Sequence, residues 1–391
     1  MEKIEQNVNM GVVKQADGDS LPLKRQRQSG IELFRIISML LIVAHHYVVN
    51  SGVLDVISLN PTSVNSIFLY IFGGWGKIGI NCFVLITGYF MCTSKISAKK
   101  FLKLLFEIEL YKIIIYLIFV LTGYEQISLT GIVKAILPIT AVAQNFTGCF
   151  LIFFLLIPFL NMLIKSMSKR QHAFLLVVLL TVYSLIATLP KFYVVMNYVS
   201  WFIVLYFVAS FIRLYPIKLY EKTLFWGIAT AICFILCALS VAVMAWLSTK
   251  YDFAKDKIYY FVSDSNKLSA LIMAICAFMF FKNLKFQSKF INGVASTMFG
   301  VLLIHANSDT MRKWLWGDVI KAAQSVLGEN AILHAIISVV VIFVVCIIID
   351  YLRILLIEKP IFKALGDKLD KVDEFIVYGK NKQPTVDTEE K

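Results

Sequence analysis

An arginine and two adjacent histidines lie inside the first long apolar run of the sequence, IELFRIISMLLIVAHHYVVNSG over residues 31–52. Arg35 lies near the start of this run, and His45 and His46 lie near its end. An ionisable group inside a membrane helix costs about 2.5–3.5 kcal/mol even on insertion scales, so it calls for a functional or structural reason. His suits general-base catalysis near neutral pH, and Arg binds phosphates through paired hydrogen bonds.

Helical geometry separates the two histidines. On an ideal helix, His46 lies about 20° from the face of Arg35 and about 16 Å farther along the axis. His45 is rotated by about 80° from that face, so we expect only His46 to share a cavity with Arg35. The alternative is structural, because an Arg at a helix end can extend to the interface and a His can form hydrogen bonds between helices.

The composition identifies the class of protein. Of the 391 residues, 59% are hydrophobic and only 16% are charged, with a mean hydropathy of +0.77. Apolar runs long enough to cross a membrane recur along the chain, which is typical of a polytopic membrane protein. The seven cysteines lie mostly in these runs without a CxxC pair or a metal-ligand spacing, so we predict no disulfide framework and no metal site.

The runs predict an all-α fold, a polytopic transmembrane bundle of about ten helices. Residues 1–28 form a polar tail, residues 29–357 the transmembrane domain and residues 358–391 a charged C-terminal tail. Residues 131–143 could add a further or re-entrant helix. The predicted helices cover residues 31–49, 66–91, 104–122, 148–165, 174–189, 198–214, 223–247, 266–281, 294–306 and 331–357.

The distribution of positive charge predicts the orientation. The net charge is +13, and with a cytoplasmic N-terminus the inside segments hold 26 Lys and Arg residues while the outside loops hold 9. Cytoplasmic segments of membrane proteins are enriched in Lys and Arg, so we expect both termini to be cytoplasmic. This distribution explains the basic charge without a nucleic-acid partner.

Four stretches in chain order carry a resemblance to a known family. They are the Arg35–His46 pair, GINCFVLITGYFM at 79–91, CFLIFFLLIPFLNMLIK at 149–165 and STMFGVLLIHANSD at 296–309. Together they resemble the acyltransferase-3 family of integral-membrane O-acyltransferases, in particular the branch that acts on bacterial surface polysaccharides. Thr87 stands where the family usually has Ser, which retains a hydroxyl.

The resemblance implies transfer of an acetyl group from cytoplasmic acetyl-CoA to a sugar hydroxyl of a cell-surface or lipid-linked polysaccharide. The protein would then lie in the inner or plasma membrane, among membrane lipids. His46 would act as general base or acyl carrier, and Arg35 would hold CoA near the inner surface. The residues leave open whether transfer is direct or passes through an acyl-histidine.

Three lysines are candidates for binding the phosphates of CoA. Lys99, Lys100 and Lys103 belong to the most basic inside loop between helices. The alternative is that they only orient the chain in the membrane. Farther along the third predicted helix, Glu109 and Lys112 are three residues apart, which predicts a structural ion pair.

His305, Trp75 and Asn81 are candidates for binding the acceptor. His305 lies at the outer end of the ninth predicted helix, where it could bind sugar hydroxyls or have no role. Trp75 lies in the glycine-rich stretch 73–79. That stretch could shape the site through close helix approach or a broken helix, or could be an interfacial turn with a Trp anchor.

A transporter or flippase for a glycan or lipid is the alternative function, with Arg35 and His46 as ligands of substrate or proton. Many transporters are built from paired halves, whereas this sequence shows no internal repeat. The ordered family-like stretches favour the transferase. Turnover of acetyl-CoA separates the two hypotheses, since a flippase does not consume a thioester.

Overall fold

The computed structural model describes residues 27–366 except residue 95, residues 138–145 and residue 193. Within these residues the chain forms helices and connecting segments without β-strands. The helices are α1 (Ser29–Val49), α2 (Val53–Ser58), α3 (Val64–Gly73), α4 (Gly76–Met91), α5 (Ala98–Leu121), α6 (Leu129–Ile136), α7 (Phe146–Ser166), α8 (Lys169–Leu180), α9 (Tyr198–Leu214), α10 (Thr223–Ser248), α11 (Leu268–Lys282), α12 (Lys289–Ala295), α13 (Met298–His305), α14 (Asp309–Arg312), α15 (Ala322–Ser325), α16 (Ala331–Arg353) and α17 (Lys359–Ala364).

Several helices of the described chain are long and apolar enough to cross a membrane. Six segments meet this condition, or seven if the bent pair Lys289–His305 and Asp309–Ser325, which meets at 93°, forms one span. The six are Ser29–Val49, Val64–Met91, Phe146–Ser166, Lys169–Ile186, Thr223–Ser248 and Ala331–Ala364. The all-α polytopic class is therefore confirmed, while the number of about ten remains a prediction.

Every predicted helix coincides with an observed helix or pair of helices. The second is divided into α3 and α4, and the ninth into α12 and α13. In the uncertain region, α6 ends at Ile136, and its eight residues are too few to span a membrane. Residues 138–145 lie outside the described residues, as do most of the two predicted tails.

Helix α1 lies at the centre of the bundle and packs against α3, α4, α11, α12, α13 and α16. Its contact with α4 is close at Gly79. A Cβ atom there would lie 2.7 Å from Cγ1 of Ile42 and 3.0 Å from the carbonyl oxygen of Ser38, so only glycine fits without displacement. We call the end of the bundle at Ser29 the N-terminal face and the end at Val49 the cavity face.

Two breaks in helices lie beside the final turns of α1. One separates α3 from α4 at residues 74–75, and the other separates α13 from α14 at residues 306–308. At membrane depth, backbone groups released by such breaks are tolerated only inside protein or along a cavity. Both breaks border the cavity described below, since Gly73, Gly74 and Ala306 are among its lining residues.

A buried charge cluster joins α5 to α16 near the N-terminal face. The Arg353 guanidinium donates to carboxylate oxygens of Asp350 at 2.7 Å, Glu358 at 2.6 Å and Glu107 at 3.1 Å. Tyr111 donates to the same oxygen of Asp350 at 2.8 Å. The sequence analysis did not anticipate this cluster, because its members come from segments about 240 residues apart.

The predicted ion pair between Glu109 and Lys112 is wrong. The ammonium of Lys112 donates to the backbone carbonyl of Leu137 at 2.9 Å. Both carboxylate oxygens of Glu109 are buried without a hydrogen-bond partner among the described residues. The two side chains share a helix face, but Lys112 is drawn toward the segment that follows α6.

Candidate active site

His46 and His305 form a hydrogen-bonded pair of imidazoles. Nδ1 of His46 lies 2.9 Å from Nε2 of His305. Nδ1 of His305 lies 2.6 Å from the carbonyl oxygen of Val301, which can only accept a hydrogen bond. In the neutral pair, His305 therefore carries its hydrogen on Nδ1, and its Nε2 accepts from Nδ1–H of His46. This arrangement leaves the Nε2 lone pair of His46 available as a base.

His305 lies behind His46 and is not itself part of the cavity wall. Its side chain is 0% exposed, and the lining of the cavity passes from Leu302 to Ala306 without it. The expectation that His305 binds the acceptor is corrected accordingly. Helix α13 fixes the ring through the Val301 carbonyl one turn earlier, so His305 orients His46.

A cavity of about 1550 Å³ opens toward the cavity face and contains His46. Its deepest lining residues on α1 are Met39 and Ile42. Its wall combines tyrosines with charges of both signs. The lining tyrosines are Tyr70, Tyr116, Tyr198, Tyr259 and Tyr260, and the charged lining residues are Asp55, Lys77, Lys112, Glu125, Lys134, Lys255, Asp256, Lys257, Asp309 and Arg312.

His45 also lines this cavity, so the prediction that only one histidine reaches it is wrong. Its Nδ1 donates to the carbonyl oxygen of Gly73 at 2.6 Å, at the end of α3. The ring occupies space next to Gly76 that a side chain at that position would fill. Because Gly76 lacks a side chain, the first turn of α4 leaves room for the His45 ring.

Arg35 lies on the same stripe of α1 as Met39, Ile42 and His46, as the helical spacing predicts. Arg35 does not reach the cavity. Along α1, the lining residue nearest to Arg35 is Met39, one helical turn farther toward the cavity face. Its guanidinium instead pairs with Glu32 at 2.7 Å, and its side chain is 25% exposed. The expectation of a cavity shared by Arg35 and His46 is corrected, while a donor site at the N-terminal face stays a prediction.

The three candidate lysines for CoA lie at the N-terminal face, far from the histidines. Lys103 forms an ion pair with Glu358 and lies 5.8 Å from the ring centroid of Phe362. Lys99 and Lys100 lie in the first turn of α5. Lys103 is therefore engaged within the protein, and phosphate binding by the three remains a prediction.

Trp75 and Asn81 are not among the residues that line the cavity. Trp75 is 5% exposed and stacks on Phe234 with ring centroids 4.3 Å apart, so it is neither a sugar platform nor an interfacial anchor. The Asn81 amide donates to the carbonyl of Ser265 at 2.7 Å and accepts from the indole of Trp201 at 2.8 Å. These bonds connect α4 to its neighbours and occupy both ends of the amide.

Several cavity residues were assigned no role in the sequence analysis. Lys77 and Tyr198 line the cavity together, and the Lys77 ammonium donates to the Tyr198 hydroxyl at 2.8 Å. Arg312, which pairs with Asp309, lines it from the other side of the 306–308 break. For Lys77 a signal existed, since it is a charge within a predicted membrane helix.

No group of three or more His, Cys, Asp and Glu side chains in the described residues could hold a metal ion. The cavity presents an oriented imidazole beside tyrosine and lysine side chains. Such a site can remove a proton from a hydroxyl or accept an acyl group.

The fold and the site define a helical membrane protein with an oriented histidine in a large cavity. The family model described as an acyltransferase domain matches residues 28–351. The chain therefore belongs to the acyltransferase-3 family and is a membrane acyltransferase. No match was found among curated proteins or among solved structures.

Proposed function

We propose that this protein is an O-acetyltransferase of the inner or plasma membrane. It moves an acetyl group from cytoplasmic acetyl-CoA to a sugar hydroxyl of a cell-surface or lipid-linked polysaccharide. The observation that carries the proposal is the hydrogen-bond chain from the Val301 carbonyl through His305 to His46, which leaves Nε2 of His46 with a lone pair.

The hydrogen-bond chain supports general-base catalysis by His46. Nε2 takes the proton from the acceptor hydroxyl, and the hydroxyl oxygen forms a bond to the carbonyl carbon of the thioester. Collapse of the tetrahedral intermediate breaks the carbon–sulfur bond, and the CoA sulfur takes the proton from His46. An acyl-histidine route uses the same lone pair as nucleophile.

The donor enters from the N-terminal face, which the excess of Lys and Arg assigns to the cytoplasm. Arg35 lies on that side, about 16 Å along α1 from His46. This separation suits a donor whose phosphates stay near the surface while its long thioester arm reaches inward. Met39 and Ile42 lie between the two, and a flexible methionine can change rotamer to admit a chain.

The acceptor enters from the cavity face. The volume of about 1550 Å³ exceeds that of typical small-molecule sites, which supports a large acceptor such as a glycan. Tyrosines provide apolar faces and hydroxyl groups to a sugar ring, and the charged side chains provide hydrogen bonds to its hydroxyls.

The test uses purified protein in lipid nanodiscs with acetyl-CoA that carries a radiolabelled acetyl group. We expect release of CoA and labelling of glycan from the producing cells, both lost in His46→Ala. Absence of thioester turnover by wild-type protein, with intact folding, would refute the enzyme and leave the transporter hypothesis.

A further inference from the structure

The ammonium group of Lys77 has an unusual setting. Lys77 lies in the first turn of α4, within the apolar segment Val64–Met91, and lines the cavity with His46. Among the described residues, it takes part in none of the ion pairs. Ionisable residues within membrane segments are rare, usually face the bundle interior or a water-filled cavity, and commonly mark a functional site.

The hydrogen atoms of the Lys77–Tyr198 contact can be assigned. An ammonium group only donates, so the Tyr198 oxygen accepts the 2.8 Å hydrogen bond from Nζ of Lys77. The hydroxyl hydrogen of Tyr198 has no acceptor among the described residues. Tyr198 lines the cavity, so this hydrogen is available to a bound group there, and the adjacent positive charge makes it a stronger donor.

The charges near His46 favour a negative group in the cavity. Two cationic side chains of the cavity wall, Arg312 and Lys77, act on the His46 ring. Arg312 is paired with Asp309, whereas Lys77 contacts only the neutral Tyr198. Arg312 and Lys77 thus both place positive charge near the base, and Lys77 is the one of the two that has no ion-pair partner among the described residues.

We propose that Lys77 and Tyr198 stabilise the oxyanion of the tetrahedral intermediate. This inference rests on the proposed acyl transfer. When the acceptor oxygen bonds to the thioester carbon, the carbonyl electron pair moves to oxygen. The Tyr198 hydroxyl donates a hydrogen bond to that oxyanion, and the Lys77 charge balances it. The carbonyl double bond re-forms when the CoA sulfur leaves. Lys77 and Tyr198 neither gain nor lose a proton in this step.

The test compares acetyl-CoA turnover by Lys77→Met and Tyr198→Phe with the wild type. Removing one oxyanion donor commonly costs about 10²–10³ in kcat, and we expect that loss with a KM for acetyl-CoA changed by less than about twofold. The kcat of the double variant should be at least about a third of the kcat of the slower single variant, because the pair acts as a unit. Fluoroacetyl-CoA, whose oxyanion is intrinsically more stable, should show a smaller defect.

Lys267→Met is the matched control. Lys267 also contacts a tyrosine, with Nζ 4.6 Å from the ring centroid of Tyr260, and donates to the Ala187 carbonyl at 2.7 Å. Lys267 does not line the cavity. Lys267→Met removes the same charge as Lys77→Met, but acetyl-CoA turnover should stay within about threefold of the wild-type value.

Two outcomes would overturn the inference. One is turnover above about a third of wild type in both cavity variants, and the other is an equal loss in Lys267→Met. If Lys77→Met fails to fold, Tyr198→Phe decides alone, since it removes a single oxygen atom. Failure of the proposed function has a different signature, because wild-type protein would then show no thioester turnover for any variant to lose.

Discussion

Nδ1 of His46 and Nε2 of His305 lie 2.9 Å apart although the two residues are 259 positions apart in the sequence. In the neutral pair, the partner of the proposed base His46 is an uncharged ring, where many hydrolases have a carboxylate. A neutral partner fixes the tautomer but stabilises the protonated imidazole less than a carboxylate would. In the proposed mechanism this arrangement favours return of the proton from His46 to the leaving sulfur, since no carboxylate partner holds the proton on the ring.

The two adjacent histidines should differ in catalytic importance. We expect His46→Ala to lower kcat by about 10²–10⁴, because it removes the oriented base. His45→Ala should cost less than about tenfold, because the His45 ring is held by the Gly73 carbonyl and, among the described residues, has no hydrogen bond to another imidazole. Acetyl-CoA turnover measures both. A dead His45→Ala beside an active His46→Ala would contradict the assignment.

His305 should act through the orientation of His46. His305→Ala should lower kcat by about 10-fold to 100-fold, while His305→Gln should recover part of the loss because its amide oxygen can accept from His46. The control is His172→Ala, which removes a buried histidine bonded to the Phe207 carbonyl at 3.0 Å. Similar kcat values for the His305 and His172 variants would argue against the positioning role.

Arg35 should matter for the donor. Arg35→Lys retains the charge and the possibility of pairing with Glu32, so stability should change little. The ammonium lacks the planar pair of donors, and we expect the KM for acetyl-CoA to rise by about tenfold. Steady-state kinetics and thermal unfolding are measured on the same preparation. An unchanged KM would restrict Arg35 to a role in helix capping or topology.

The cluster around Arg353 should contribute strongly to stability. Arg353→Met removes the cation that three carboxylates share, and we expect a loss of about 3–5 kcal/mol. Thermal unfolding in detergent measures the effect. The matched control is Arg312→Met, whose ion pair with Asp309 is exposed and should contribute less than about 1 kcal/mol. Equal losses of unfolding free energy in Arg353→Met and Arg312→Met would mean that burial does not increase the contribution of the Arg353 cluster to stability.

Topology can be tested with exposed positions in short connections. Thr62→Cys should react with impermeant thiol reagents in intact cells, whereas Thr93→Cys should react only after lysis. Wild-type protein provides the background, since its seven cysteines are buried or partly buried. The reverse pattern of labelling would invert the assignment of the two faces.

The sequence by itself determined the class, the helical segments and the family, because apolar length and motif order are local properties of the chain. It also identified His46, since a histidine in an apolar run is informative without any neighbour. Helical periodicity correctly placed Arg35 and His46 on one stripe of α1.

Only the tertiary structure decided which residues meet. Periodicity within one helix cannot show that the cavity ends at Met39, or that His45 also reaches it beside Gly76. The partnership of His46 with His305 depends on how distant helices pack. For the same reason Asn81, which lies in a family-like stretch, proved to be bonded to Trp201 and Ser265 instead of facing the acceptor. A sequence states which side chains are costly to bury, and packing determines which partner offsets that cost.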